Sequence, residues 1–286
     1  MRAGNDVSGW LDMADRLAAE SGAILREAAA SRPEVEVKPD RSFVTALDAR
    51  IEHRLRELLA DAYPGHGVLG EEQGGQDLDA EHVWVLDPID GTAAFIAGMP
   101  VYGTLIALMQ AGEPIIGIID HPITGERWLG VKGRATLYNG ASCRTRSCDR
   151  LADAIMSASN PDFFDDEERP ALDALRDATA WRIWGGACMS YGRVASGRID
   201  VALDTRLKLW DIAPFRPIIE GAGGVITDWE GAPIVQATGP RILVAGETRG
   251  LTASFPTSTI EAKAPAIRAG ESDPLRHLQG TPEGMI

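Results

Sequence analysis

Cysteine is scarce in this chain: Cys143, Cys148 and Cys188 are its three among 286 residues. Such a set excludes a disulfide framework and a cysteine-rich zinc site, and a reducing cytoplasm is its simplest setting. Long apolar runs are missing too. No stretch approaches the ~18 continuous apolar residues of a membrane-spanning helix, and the N-terminus, MRAGNDVSGWLDMADRLAAE, carries acids where a signal peptide would need an apolar core. The expectation is a soluble, unexported, cytoplasmic protein. Positive charge is in deficit, with 28 Lys and Arg against 42 Asp and Glu and a net charge of -14. That field repels nucleic acid, anionic membranes and, at long range, a phosphate ester, so neither nucleic acid nor membrane is expected as a partner. An enzyme acting on phosphate with this charge would need bound cations, although an acidic surface also serves solubility alone. The five histidines are dispersed, which leaves carboxylates as the natural ligands of any metal.

What is present suits a globular fold. Hydrophobic residues make up 44% and charged residues 24%, enough for a large core, and the length fits one large α/β domain or two fused halves. Apolar residues recur at helical spacing from Ser8 to Ala30 and again from Thr45 to Ala62. VEVKPDRSFVTALD between them predicts a short strand pair around a turn at Pro39-Asp40, with Lys38 and Asp48 flanking the loop. After Pro64-Gly65 come short strands: HGVLGEE, HVWVLDP, YGTLIALMQ, EPIIGIIDHP, RWLGVKG and TLYNG. They read as an antiparallel run. Further on, a strand is expected within 151–160, helices over 167–179, 188–197 and 211–221, and strands at VALD, GVITDW and RILVAG. The fold class is therefore mixed α/β and layered. Beyond Gly246 the chain is rich in Pro, Gly, Ser and Thr without periodicity, so residues 1–246 are expected to form the domain and 247–286 an irregular or disordered tail.

Chemistry concentrates in three places. The apolar run Val83-Trp84-Val85-Leu86 delivers Asp87 at a strand end and Asp90 three residues later, and Gly91-Thr92 would begin a helix whose backbone N–H groups can hold a phosphate. Helix capping by Asp90 is the competing explanation. Glu71-Glu72 falls on a loop between two strands, either as solvated surface or as a third carboxylate completing the hard oxygen set that Mg²⁺ prefers. Trp210-Asp211 opens a helical stretch, where Asp211 could be cap, ligand or both.

VLDPIDGT, GEE and WDIAPFRPIIEGAGG, together with KPDRSFVTALD, resemble the signatures of the inositol monophosphatase-like family in order and spacing. The resemblance spans roughly residues 10 to 246. It implies an α-β-α-β-α sandwich and hydrolysis of a small phosphorylated metabolite by metal-activated water, with two or three Mg²⁺ ions per site. Glu71, Asp87 and the carbonyl of Ile89 would hold one ion, and Asp87, Asp90 and Asp211 another. Thr92 with Asp48 would activate the water, Glu71 would share in catalysis, and the amides of Gly91 and Thr92 would grip phosphate. The family also implies a homodimer and lithium sensitivity. GTAAFIAGMPVYGTLIAL, GIIDHPITGERWLGV, NGASCRTRSC and GVITDWEG look most like its histidinol-phosphate phosphatase branch, which places the activity in histidine biosynthesis. On the residues alone, Asp120, Glu126 and Arg127 of that hairpin could equally be turn and edge charges. Asp204 occupies the place of a substrate-contacting acid suited to an amino group, beside Gly186 and Ala187. Ala187 stands where the branch usually has Asp, and Trp210 where it usually has Tyr. An inositol-1-phosphatase or broad sugar and polyol phosphatase is the alternative, followed by a non-catalytic metal- or anion-binding module.

Overall fold

The structure is a computed structural model, and it describes residues 7–29, 35–37 and 43–246, with backbone alone at 35–37, 43 and 44. The expected turn at Pro39-Asp40, Lys38 and the expected tail lie outside the described residues.

The two N-terminal helices fall where their periodicity puts them, α1 at Val7–Ala28 and α2 at Ala46–Ala62, with the short antiparallel pair β1 (Val35–Val37) and β2 (Phe43–Thr45) between. Thr45 caps α2: its hydroxyl oxygen accepts from the Leu47 N–H at 3.2 Å, while Asp48 Oδ2 accepts from the Thr45 N–H at 2.8 Å. This reciprocal arrangement satisfies donors that a helix start leaves open.

An eight-stranded sheet follows, built from β3 (Gly67–Gly70), β4 (Gly74–Gln76), β5 (His82–Asp90), β6 (Gly103–Gln110), β7 (Glu113–His121), β8 (Glu126–Val131), β9 (Leu137–Tyr138) and β10 (Ala141–Ser142), with α3 (Thr92–Ala97) between β5 and β6. From β5 to β10 the pairing is antiparallel as expected, but β3 lies parallel to β5. The cause is β4, which the sequence reading lacked. It turns back on the outer side of β3, so the chain re-enters on β3's other side running in β3's own direction.

The central strands are apolar on both faces because both faces are covered. Trp84, Leu86, Ile106, Leu108, Ile116 and Ile118 face α1 and α2, whereas Val83, Val85, Leu105, Ala107 and Ile119 pack on the opposite side. That opposite layer holds α5 (Ala187–Ala195), α6 (Leu209–Ile212) and α7 (Phe215–Gly221), and it is closed by a second sheet of β11 (Ile155–Ala158), β12 (Trp181–Trp184), β13 (Val201–Asp204), β14 (Val225–Asp228) and β15 (Ile242–Ala245). Leu172 and Leu175 of α4 (Arg169–Ala178) cover the far face of that sheet. The result is the expected α-β-α-β-α sandwich.

One expected helix, 211–221, is broken in two. Pro214 has no N–H to continue the α6 ladder, and Pro217 sits in the first turn of α7, the one helical place where its missing donor costs little. The break lets α6 lie against β5 while α7 lies against β7 and β8.

Candidate metal centre

The centre forms where β5 stops being a regular strand. Pro88 cannot donate to the ladder, and the β5–β6 register shifts between Asp87 and Asp90. The freed Asp87 side chain turns back, its Oδ1 accepting from the Ile89 N–H at 3.0 Å, in a buried setting. Gly91 then enters α3 with φ at 81°, a left-handed conformation open to glycine, and a Cβ added there would approach Ala187 Cβ to 2.8 Å. Gly91 and not Asp90 is the N-cap of α3, and it makes no side-chain cap bond, so the capping explanation of Asp90 fails. Asp90 Oδ2 instead accepts from the Cys188 N–H at the start of α5, at 2.6 Å.

Asp211 arrives from the other side of the chain. At the third position of α6 its Oδ2 accepts from the Lys208 N–H at 2.6 Å, so it does cap its helix. Capping and clustering coexist: Asp87, Asp90 and Asp211 each present a carboxylate oxygen, all within 4.8 Å of one another.

Burial first, and then the neighbouring carboxylates, push these acids upward. Asp87 lies well above the usual carboxylate range through burial and the charges of Glu71, Asp90, Asp211 and Asp48. Asp211 is also well above it, through burial, Asp90 and Glu71, and Asp90 is raised chiefly by burial. Glu71 thus acts electrostatically on both Asp87 and Asp211. Its backbone is tied to β5 by a 3.2 Å hydrogen bond from the Glu71 N–H to the Leu86 carbonyl. A divalent cation fits this set on chemical grounds, because hard oxygen donors crowd together with no lysine or arginine between them among the described residues.

Thr92 starts α3, and its hydroxyl donates to the Ile89 carbonyl at 3.1 Å. Asp48, buried at the start of α2, takes the Thr45 hydroxyl on Oδ2 at 2.6 Å. Gly186 is the N-cap of α5 and Ala187 its first residue, at a left-handed φ of 45° that costs a side chain strain. The structure therefore gathers Asp87, Asp90 and Asp211, sets Ile89, Gly91, Thr92 and Ala187 directly beside them, and brings the charges of Glu71 and Asp48 to bear on Asp87.

Asp204, expected as a substrate-contacting acid, makes its hydrogen bonds within the fold. It is buried in β13, where Oδ1 accepts from the Ser159 N–H and hydroxyl at 2.7 and 2.6 Å and Oδ2 accepts from the Tyr191 hydroxyl at 2.6 Å. Burial outweighs these bonds and lifts it to about 6. A carboxylate so enclosed braces α5 against the second sheet.

Some supporting residues went unnoticed in the sequence. Glu52, wholly buried in α2, accepts from the Glu72 and Gln73 N–H groups at 2.7 and 3.1 Å and from Arg56 Nε at 2.8 Å, fixing the loop that carries Glu71. Its signal was its spacing, one helical turn after Asp48 on the same face. His121, held down to about 4 mainly by burial, is neutral and has its Nε2 3.6 Å from Cys188 Sγ, the residue whose N–H holds Asp90. Only the tertiary contact reveals that link.

Comparison with known proteins bears on the family and the fold. A profile described as the Inositol monophosphatase family matches residues 6–264. Among curated proteins, the chain is 39% identical over 259 residues to "Bifunctional phosphatase IMPL2, chloroplastic" of Arabidopsis thaliana, covering 90% of this chain and 70% of that protein. It is 34% identical over 224 residues to "Histidinol-phosphatase" of Mycobacterium tuberculosis, covering 76% and 84%. Among solved structures, an inositol monophosphatase from Zymomonas mobilis superposes with a TM-score of 0.81 at 36% identity, covering 90% of this chain and 100% of that one.

Proposed function

We propose, from the premise that this chain belongs to the inositol monophosphatase family and is a metal-dependent phosphoric monoester hydrolase, that its substrate is histidinol phosphate. The observation that carries the hydrolase chemistry is the trio of buried Asp87 and half-buried Asp90 and Asp211, whose oxygens converge without a cation of the chain's own. The choice of substrate rests on the 34% identity to the mycobacterial histidinol-phosphatase, and the amino alcohol it implies is cationic, which suits a strongly acidic protein.

In this reading Asp87, Asp90, Asp211, Glu71 and the Ile89 carbonyl hold two or more Mg²⁺ ions. When bound, Mg²⁺ supplies neutralisation of phosphate charge and acidification of water. The chain does the rest. Thr92 and Asp48 orient the attacking water and take up its proton, the amides of Gly91 and Thr92 hold phosphate oxygens, and the left-handed Gly91 turn keeps the backbone close enough to do so. Gly186 and Ala187 border the leaving-group side, since Ala187 abuts Gly91. Asp204 acts through Tyr191 and Ser159, keeping α5 and therefore the Cys188 N–H in register with Asp90. A homodimer is part of the proposal: Trp181 and Trp184, 66% and 40% exposed on the edge strand β12, are apolar surface that a second copy would cover.

The likeness to the Zymomonas inositol monophosphatase favours a second reading, inositol 1-phosphate. Initial rates on both esters with saturating Mg²⁺ separate the two. Histidinol phosphate should lead in kcat/KM by about tenfold or more, and the reverse order would replace the substrate while leaving the hydrolase intact. Chelation of divalent metal should abolish turnover of either.

A further inference from the structure

The hairpin IDHPITGERW supplies none of the clustered acids, yet it seats the helix that reaches Asp90. Strands β7 and β8 meet α5 at Cys188 and Gly192, which lie one turn apart on the same helix face. Cys188 Sγ stands 3.6 Å from His121 Nε2, a contact within the longer reach of sulfur. At Gly192 an added Cβ would come to 2.7 Å from the Trp128 ring, so glycine is what lets the helix close onto the hairpin. Arg193 completes the junction: its Nη2 donates to Glu126 Oε2 at 2.8 Å, and its guanidinium carbon lies 5.5 Å from the centre of the Trp128 ring.

Among these contacts His121 is the one that reaches the metal loop. Its Nδ1 lies 2.7 Å from the Tyr102 carbonyl oxygen. A carbonyl can only accept, so Nδ1 carries the proton, and the neutral ring that burial enforces keeps Nε2 as an acceptor. The imidazole is therefore a strut with a donor at one end and an acceptor at the other. Both ends stand on segments that abut the Gly91 turn, because a Cβ on Gly91 would meet Ala187 Cβ at 2.8 Å and Tyr102 Cα at 3.5 Å. Gly103 leaves room for the ring, since a Cβ there would stand 2.9 Å from His121 Nδ1. Trp128 backs it edge-on, with ring centres 5.8 Å apart. Held at both ends and from the side, the buried imidazole has a single orientation. Cys188, held by it, meets Asp90 twice, through its N–H at 2.6 Å and through its thiol.

We propose that His121 is a positioning residue of the metal centre: through the Cys188 thiol it fixes the start of α5, and with it the N–H that aims Asp90 at Asp87 and Asp211. This role rests on the reading of those three acids as metal ligands and is independent of which ester is hydrolysed. Groups that orient a ligand from behind typically govern metal affinity by about ten- to a hundredfold.

Calorimetric titration of Mg²⁺ into the full chain tests it, together with steady-state rates on whichever of the two esters the wild type hydrolyses faster. His121→Phe keeps a ring and removes both polar ends. It should weaken Mg²⁺ binding by about tenfold or more and raise the Mg²⁺ concentration for half-maximal rate in step, while the KM for the ester at saturating Mg²⁺ stays within about twofold of wild type. Cys188→Ala should reproduce that loss although it retains the backbone N–H, and Cys188→Ser, whose hydroxyl can donate to Nε2, should recover most of it. Because the two side chains form one connection, the double variant of His121→Phe with Cys188→Ala should bind Mg²⁺ no more weakly than either single variant. Nitrogen NMR of the metal-free wild type, which needs no variant to fold, should show His121 protonated at Nδ1 and bare at Nε2. Unchanged Mg²⁺ affinity in His121→Phe, a Cys188→Ser variant as weak as Cys188→Ala, additive losses in the double variant, or a proton on Nε2 would each overturn the positioning role while leaving the metal centre in place. A wild type that binds no Mg²⁺ would overturn the metal reading and this role with it.

Discussion

Two populations of buried or half-buried carboxylates share this molecule, and they are treated in opposite ways. Asp200 and Glu52, with wholly buried side chains, are answered from within: Asp200 by Arg146 through Nε and Nη2, both at 2.6 Å, and by the Ile155 N–H at 2.7 Å, and Glu52 by Arg56 and two backbone N–H groups. Asp87, Asp90 and Asp211 each receive one backbone bond, Asp90 also meets the Cys188 thiol, and no basic side chain answers them among the described residues. The first population is scaffolding, since its charges are neutralised when the chain folds. The second has no cation of the chain's own and holds its protons more tightly than ordinary carboxylates until something from outside arrives, which is the condition for a metal centre.

Substitutions can break or sharpen that contrast, and the largest effect should come from the unanswered set. Asp90→Asn should lower kcat by roughly a thousandfold or more while leaving the metal-free protein as stable as wild type or slightly more so, because a repelling charge has gone. The stabilisation by Mg²⁺, about 2.7 kcal/mol at a hundredfold excess over Kd, should shrink with it. Steady-state rates and melting curves with and without metal read both outcomes, and a metal-free protein strongly destabilised by Asp90→Asn would erase the contrast.

The answered set should respond with the other sign. Asp200→Asn should cost about 3 kcal/mol in stability, measured by urea unfolding, because Arg146 and the Ile155 N–H lose the charge they were built around. The phosphatase activity of the molecules that remain folded should be nearly unchanged.

Asp204 is the intermediate case, enclosed by neutral donors, and its response is to pH. Its folded value of about 6 lies above the ordinary 3.8, so the folded state holds its proton more tightly than the unfolded chain. The resulting stability is fully present below 3.8 and is lost as pH rises through about 6, a swing on the order of 3 kcal/mol. Asp204→Asn removes the titration. The stability difference between variant and wild type should therefore move in the variant's favour from pH 4 to pH 7, and a constant difference across that window would show that Asp204 does not titrate there.

Much of the centre was legible in advance because its residues lie at breaks in local pattern. DPID ends an apolar run with a residue that cannot donate to a sheet, and GEE and WD sit at a strand end and a helix start, so the chemistry is visible where the periodicity stops. The misread features share a different cause. The parallel pairing of β3 with β5 depended on a three-residue strand too short to signal itself, and the break in 211–221 depended on two prolines set against an otherwise helical apolar spacing. The bonds Asp204 makes could not be read in advance, because an acid at a strand end looks alike whether it faces a ligand or Ser159 and Tyr191.

The sequence by itself determined the layered α/β class, the positions of both N-terminal helices and the identities of the clustered acids, because hydrophobic period and turn chemistry act over a few residues and are written locally. Only the tertiary structure decided that Asp211 joins Asp87 and Asp90, that Cys188 supplies an N–H to Asp90 and Glu52 steadies the Glu71 loop, and that His121 stands between Tyr102 and Cys188. Each of these is a meeting of residues far apart in the chain, and whether a buried charge finds a partner depends on which side chains the packing brings within hydrogen-bond distance.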